Sequence, residues 1–161
     1  MEFLRIEKLS AKKLVGKTVS MSIVNNRTTE LWRSFGPRKK EIKNVVGNDL
    51  YSMQIFPNDF DFENFDIHRE FEKLALVEVE NFHEIPNDMI THEVAGGLYA
   101  VFLYKGLPAN GAAAFQYIFT QWIPNSEYVV DQREHFELLG DKYNNTSSDS
   151  EEEIWIPVRN K

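Results

Sequence analysis

The chain of 161 residues is 42% hydrophobic and 13% aromatic, which is typical of one globular domain apart from its many Phe and Tyr residues. A net charge of −7 argues against direct binding of nucleic acid, because that needs a basic face to neutralise phosphates. The absence of cysteine excludes disulfides and thiolate metal ligands, and no apolar run reaches the roughly 20 residues of a membrane span.

The first half of the chain is predicted to form a strand, a helical region and two more strands. Apolar and polar residues alternate after Leu14, as in a strand with one buried face. Leu31, Trp32 and Phe35 form the apolar stripe of a helix. The predicted elements are a strand over 14–24, a helix capped by Thr28 or Thr29, a second helical stretch over 38–45, a strand over 49–56, an Asp- and Phe-rich loop over 57–70 and a strand over 71–82.

The second half is predicted to repeat this order. Phe115, Ile118, Phe119 and Trp122 recur at i, i+3, i+4 and i+7, which places them on one face of a helix. The predicted elements are an extended segment over 89–105 that bends near Ala95-Gly96-Gly97, a helix over 112–122, a strand over 127–139, a polar acidic loop over 144–152 and a strand over 153–158.

The shared order indicates an internal duplication within a single domain, 1–161. Three apolar pairs lie 84 positions apart: Leu14 and Leu98, Leu31 and Phe115, and Phe35 and Phe119. We expect two β-α-β-β units, one over about 1–86 and one over about 87–161. Side by side they predict an α+β fold, a curved antiparallel sheet with both helices on one face and a groove between the units.

Several short motifs in this order match a known family. They are Leu98-Tyr99-Ala100-Val101-Phe102 before Lys105-Gly106, Trp122-Ile123-Pro124-Asn125-Ser126 before Tyr128, His135-Phe136-Glu137 before Tyr143, the closing Ile154-Trp155-Ile156-Pro157-Val158, and Leu31-Trp32, Phe35 and Tyr51 in the first half. With these residues the chain resembles the GyrI-like (gyrase-inhibitor-like) effector-binding domain. That family includes ligand-sensing domains of AraC-type transcription activators and of multidrug-sensing MerR-type regulators.

The resemblance implies a small-molecule-binding groove between two related units. In multidrug sensors of the family, a glutamate at the position of Glu137 lies at the base of an aromatic pocket for bulky cationic or lipophilic molecules. No DNA-binding domain adjoins the effector domain in this sequence, so we expect a free-standing member. The start of the chain, with Glu2 and Arg5, lacks a signal-peptide core, and a cytoplasmic location is expected.

Glu137 is the central candidate for ligand binding. Side chains alternate along a strand, so His135, Glu137 and Leu139 share one face while Phe136 and Leu138 share the other. The simpler interpretation is a solvated carboxylate paired with Arg133 or His135. The candidate walls of the groove are aromatic: Trp32, Phe35, Tyr51, Tyr99, Phe102, Trp122 and Trp155.

Each of these aromatic residues has core packing as its alternative role, and strand alternation prevents Tyr99 and Phe102 from both facing the groove.

Three functions remain open on this sequence. The first is a non-enzymatic binding protein for an amphipathic, lipophilic or cationic molecule. The second is a hydrolase of reactive cyclopropane-bearing or similar electrophilic compounds, as some free-standing relatives are thought to be, with Glu137 as general base and His135 assisting. The third is a module that binds a protein partner, either gyrase or a transcription regulator. No cofactor is expected, and the four scattered histidines do not have the spacing of a metal site.

Overall fold

The computed structural model describes residues 1–161, which form nine strands and two helices. The strands are β1 (Glu2–Leu9), β2 (Lys12–Met21), β3 (Leu50–Ile55), β4 (Phe71–Val79), β5 (Ile90–Val94), β6 (Gly97–Lys105), β7 (Tyr128–Val130), β8 (His135–Leu139) and β9 (Glu151–Asn160). The helices are α1 (Thr28–Phe35), followed by a 3₁₀ turn at Gly36–Glu41, and α2 (Ala112–Tyr117), which a π turn extends over Ile118–Trp122. No helix is long and apolar enough to cross a membrane.

The α+β fold predicted from the sequence is confirmed, and three elements differ in detail. Strand β1 was not anticipated. The helical stretch expected over 38–45 is a short 3₁₀ turn that begins at Gly36, with Pro37 in its first turn. The strand expected over 127–139 is interrupted between β7 and β8.

Arg133 accounts for the interruption between β7 and β8. Its guanidinium donates hydrogen bonds to the Asp131 carboxylate at 2.8 Å and to the carbonyl oxygens of Gly96 and Leu98 at 3.1 and 2.6 Å. These bonds hold Asp131–Glu134 as an irregular connection, so that β7 pairs with the end of β9 while β8 pairs with β3 and β9.

All strand pairs are antiparallel, and the sheet has the order β1-β6-β9-β8-β3-β4-β2-β5, with β7 attached to β9. The order is symmetric about its centre if the strands of the two halves are paired as counterparts. The counterparts are β1 and β5, β2 and β6, β3 and β8, and β4 and β9. Two copies of one unit would give this pattern. The duplication and its boundary near residue 86 stay a prediction.

Two short connections make the sheet curl. β1 and β2 are joined only by Ser10 and Ala11, although five strands separate them in the sheet order. In a flat sheet these strands would lie roughly 29 Å apart. Two connecting residues reach roughly 11 Å at most. The same holds for β5 and β6, which are joined by Ala95 and Gly96. The two ends of the sheet must therefore meet.

The curled sheet has an inner face with one core and an outer face with two. The inner core takes residues from eight strands: Leu9, Leu14, Tyr51, Met53, Leu74, Leu76, Val94, Tyr99, Val101, Phe136 and Trp155. On the outer face, α1 packs on β2 and β4 through Leu31 and Phe35. α2 packs on β6 and β9 through Ile118 and Phe119. The central strands β3 and β8 are left between the two helices, as the floor of a cleft.

Gly16 gives a test of how closely strands approach in this sheet. A Cβ added to Gly16 on β2 would lie 1.8 Å from the carbonyl oxygen of Ala75 on β4, whereas one added to Gly36 meets nothing within 4 Å. Overpacking of this kind costs about 1–3 kcal/mol, so we expect Gly16→Ala to lower the free energy of urea unfolding by about 3 kcal/mol. Gly36→Ala, the matched control, should leave it unchanged or raise it by about 0.5 kcal/mol. Equal unfolding midpoints for the two variants would contradict this account.

Candidate functional site

The floor of the cleft is unusually polar for a buried surface. Of the six buried polar or charged residues in the chain, four lie on β3, β4 and β8 facing this cleft. They are Ser52, Gln54, Lys73 and His135. Burial of such groups is unfavourable unless a partner compensates. Their concentration here, between two apolar helix-packing clusters, marks the cleft as the candidate site.

Glu137 lies at the centre of this floor. Its direct cross-strand neighbours are Ser52 on β3 and Ile154 on β9, and Ile154 belongs to the core beneath α2. The side chain of Glu137 is only 13% exposed. The acidic residue is therefore withdrawn from bulk water on the helix-bearing face of the sheet.

Both carboxylate oxygens of Glu137 have partners from the first half of the chain. Gln54 Nε2 donates a hydrogen bond to Oε2 at 2.8 Å. The Lys73 ammonium lies 3.7 Å from Oε1, and its side chain is 6% exposed. The pairing with Arg133 or His135 considered from the sequence does not form, because Arg133 is bonded to Asp131 and to backbone carbonyls.

A second carboxyl group belongs to the same electrostatic cluster. Burial, together with the negative charge of Glu137, raises the pKa of Glu152 on β9 to about 8, and Lys73 opposes this rise. The pKa of the Tyr143 phenol is also raised, by burial and by Glu152 and Glu137. The cluster thus holds two carboxyl groups and one ammonium.

A phenylalanine-rich loop closes one end of the cleft. Residues 57–70 connect β3 to β4, and Phe60, Phe62 and Phe65 contact one another. The Phe62 ring stacks on Phe119 of α2 at 5.1 Å and on the imidazole of His135 at 4.9 Å. The loop therefore links the first half of the chain to α2 and β8 by aromatic contacts.

His135 is a buried, neutral imidazole beneath this loop. It is 3% exposed, and its Nδ1 has no hydrogen-bond partner. Burial, with a smaller effect from the Arg133 charge, lowers the pKa of His135 to about 3. Its ring also contacts Phe56 edge-on at 4.9 Å. It behaves as part of the aromatic wall.

Two cavities flank the phenylalanine loop, and neither is lined by Glu137. The larger, of about 410 Å³, lies between the loop and α2 and is lined by Phe60, Phe62, Phe119, Ile123, Val129, Val130 and the acidic Asp59, Asp61 and Glu63. The smaller, of about 200 Å³, includes Phe56, Phe62, His92, Glu134 and His135. The larger cavity therefore has both aromatic rings and carboxylates in its lining.

Most of the aromatic residues expected to surround Glu137 lie elsewhere. Tyr51, Tyr99 and Trp155 are in the inner core, on the sheet face opposite Glu137, so their assignment to one groove with it was wrong. The physical reason is the alternation of side chains in paired strands. Tyr99 and Phe102 are on opposite faces, as alternation required.

The remaining aromatic candidates are on the outer face. Phe35 and Phe102 are fully buried beneath α1 and α2, so neither lines an open groove. Trp122 stacks on Phe3 of the edge strand β1 at 4.8 Å, away from the central strands. Trp32 is half-buried beside Phe35. Of the eight nominated residues, only Glu137 lies on the floor of the cleft.

The polar residues around Glu137 and the aromatic wall at the end of the cleft were not predicted from the sequence. The polar residues are Gln54, Lys73 and Glu152 on the strands. The aromatic wall, which contacts His135, is made of Phe56, Phe60, Phe62, Phe65 and Phe119. One signal was available. Three phenylalanines in an Asp- and Asn-rich loop must bury their rings against some other element.

The fold is that of a small-molecule-binding domain. Residues 3–159 match the family model of the GyrI-like small molecule binding domain. The chain belongs to the GyrI-like family.

Similar proteins agree with this assignment. The transcriptional regulator BrlR of Pseudomonas aeruginosa is 25% identical over 159 residues, which cover 96% of this chain and 54% of BrlR, so the chain spans about half the length of that relative. The structure of SAV2435 bound to tetraphenylphosphonium has a TM-score of 0.65 at 20% identity, covering 99% of this chain and 94% of that one. The C-terminal domain of EcmrR has a TM-score of 0.73 at 14% identity, with full coverage of both chains. At these identities the two structures show a shared fold.

We expect His135 to make the protein sensitive to acid. Its pKa in the folded state, about 3, is below its usual value of 6.5, so the unfolded chain binds a proton first as the pH falls. Stability is therefore retained above about pH 6.5 and lost below it, by about 2 kcal/mol at about pH 5. His135→Phe should remove this loss while keeping the aromatic stacking. The test is to measure urea unfolding of wild type and His135→Phe at about pH 6.5 and about pH 5. His83→Phe, which replaces an exposed histidine, is the control. Equal acid sensitivity of wild type and His135→Phe would contradict it.

Glu152 should have the opposite effect. Its folded pKa of about 8 exceeds its usual value of 4.5, so the folded protein holds a proton that the unfolded chain releases, and stability falls as the pH rises between these values. We expect Glu152→Gln to be more stable than wild type by about 2 kcal/mol at about pH 6, with little difference at about pH 4. In carboxyl-carbon NMR, Glu137→Gln should lower the pKa of Glu152. A Glu152 resonance that titrates near its usual 4.5 would refute the assignment.

Proposed function

We propose that this GyrI-like domain binds amphipathic small molecules, including lipophilic cations, in the cleft between α1 and α2. The apolar body of the ligand contacts the loop phenylalanines and Phe119, and its positive end is directed toward Glu137. The observation that carries the proposal is a carboxylate withdrawn from water, on the floor of a cleft with aromatic walls.

The energetics favour this arrangement. A buried carboxylate without compensation costs several kcal/mol, and in the free protein Gln54 and Lys73 compensate Glu137, so a bound cation can take over the part of this role that Lys73 plays. A ligand cation over an aromatic face gains roughly 0.5–2 kcal/mol per contact, in addition to the hydrophobic contribution of its apolar body. Phe62 and Phe119 offer such faces.

The larger cavity supplies a route for entry. Asp59, Asp61 and Glu63 lie at its mouth and are exposed, while Phe60, Phe62 and Phe119 form its wall. Exposed carboxylates attract cations by long-range electrostatics. Because Phe62 also covers His135, which is two residues from Glu137 on the same strand face, a shift of the loop would extend the cavity toward Glu137.

The relatives support the same ligand class. SAV2435, which shares the fold, was solved with tetraphenylphosphonium bound, and that ion is a lipophilic cation. BrlR is a transcriptional regulator, in which a domain of this family would act as an effector sensor. The proposal carries the ligand class of SAV2435 over to the present chain.

Calorimetry with two ions of equal shape and opposite charge tests the proposal. We expect wild-type protein to bind tetraphenylphosphonium more tightly than tetraphenylborate. Glu137→Gln should weaken phosphonium binding by about tenfold or more, which corresponds to about 1.4 kcal/mol. The loss should be largely specific to the cation, because the variant keeps the shape of the cleft.

Asp149→Asn is the matched control, since it removes one formal charge from an exposed residue of the β8–β9 connection. It should change the phosphonium affinity by less than about twofold. Equal phosphonium affinity in wild type and Glu137→Gln would refute the role of Glu137. Turnover of an electrophilic ligand, lost in Glu137→Gln, would instead favour the hydrolase alternative.

A further inference from the structure

We propose that Lys73 is the internal counter-ion of Glu137 and occupies the position that the positive end of a ligand would take. In this way it sets the charge selectivity of the cleft. A bound cation must displace the Lys73 ammonium from the carboxylate. This inference rests on the proposed function and identifies the residue that limits which ligands the site accepts.

The position of Lys73 is unusual for a lysine. It lies on the interior strand β4, paired with Gln54 of β3 and Val19 of β2, and it is 5% exposed. Its ammonium forms one ion pair, with Glu137 Oε1 at 3.7 Å, beyond hydrogen-bond distance. Lysine is rarely buried to this degree, and no acceptor in the protein lies within hydrogen-bond distance of this ammonium.

The two partners of Glu137 are held differently. Gln54 is uncharged and bonded at 2.8 Å, whereas Lys73 is a point charge at the end of a flexible four-carbon stem. A cationic ligand would therefore compete with Lys73 for Oε1 and leave the Gln54 bond to Oε2 in place. The ammonium that neutralises Glu137 in the free protein is thus the group that opposes entry of a second cation.

The charges around the carboxylate support this competition. The groups that face it are Lys73 from β4, Gln54 and Ser52 from β3, the neutral His135 on its own strand, Glu152 from β9 and Tyr143 from the β8–β9 connection. With Glu152 protonated, which its raised pKa of about 8 favours at neutral pH, the cluster has no net charge. A permanent cation then gains a net attraction only when Lys73 moves away or Glu152 releases its proton.

Binding to Lys73→Met tests the proposal, since methionine keeps an unbranched apolar stem and removes the charge. We expect phosphonium affinity to rise about tenfold and tetraphenylborate affinity to fall by a similar factor. In Lys73→Met with Glu137→Gln, the gain for the cation should disappear, because the two residues act on one position. A rise of less than about threefold in Lys73→Met, or a loss, would overturn the proposal.

Lys12→Met is the matched control. Lys12 on β2 forms an ion pair with Glu78 at 3.4 Å, away from the cleft. Its substitution removes a lysine from an ion pair outside the cleft, and we expect phosphonium affinity to change by less than about twofold. An equal rise in Lys12→Met and Lys73→Met would attribute the effect to net charge and overturn the proposal.

A measurement on the wild-type protein covers the case in which Lys73→Met does not fold. Saturation with tetraphenylphosphonium should shift the ¹⁵Nζ resonance of Lys73, and saturation with a neutral ligand of similar size should leave it in place. An unmoved Lys73 resonance in the phosphonium complex overturns the proposal.

These results separate the inference from the function on which it rests. If wild type binds no lipophilic ion, or binds independently of Glu137, the proposed function fails. If binding depends on Glu137 but not on Lys73, the function stands and this inference fails.

Discussion

Two connections of two residues each constrain the whole molecule. Ser10-Ala11 and Ala95-Gly96 join strands that are far apart in the sheet order, so the sheet must curl until its two ends meet. Curling produces one enclosed core from eight strands. Both helices then lie on the outer face, each over its own pair of strands, and the central strands β3 and β8 are exposed between them. The position of the cleft is a consequence of this geometry.

The cleft combines features that are unfavourable in a core and useful in a binding site. Glu137, Lys73 and Gln54 compensate one another across three strands, while Glu152 adds a carboxyl group with a raised pKa. Aromatic residues of the 57–70 loop close one end of the cleft against α2. A polar network with partial compensation is costly for stability. Its retention beside an aromatic wall is the physical basis for the proposal that ligands bind this surface.

The order of elements was predictable because local patterns carry it. Alternation after Leu14 and the stripe of Phe115, Ile118, Phe119 and Trp122 each depend on residues close in sequence. The 57–70 loop was predicted only as a connection. Its phenylalanines close one end of the cleft because Phe62 contacts Phe119 and His135, which lie more than 50 positions away. No local pattern reports such a contact.

The sequence alone determined the α+β class, the alternation that separates Glu137 from Phe136, and the candidacy of Glu137 itself. Which face of the sheet became the enclosed core, and which residues surround Glu137, only the tertiary structure decided. Tyr51, Tyr99 and Trp155 are aromatic residues of the kind that line binding sites, but they lie in the inner core. Alternation assigns neighbours to opposite faces without saying which face is inside, because that depends on how the sheet curls and where the helices pack.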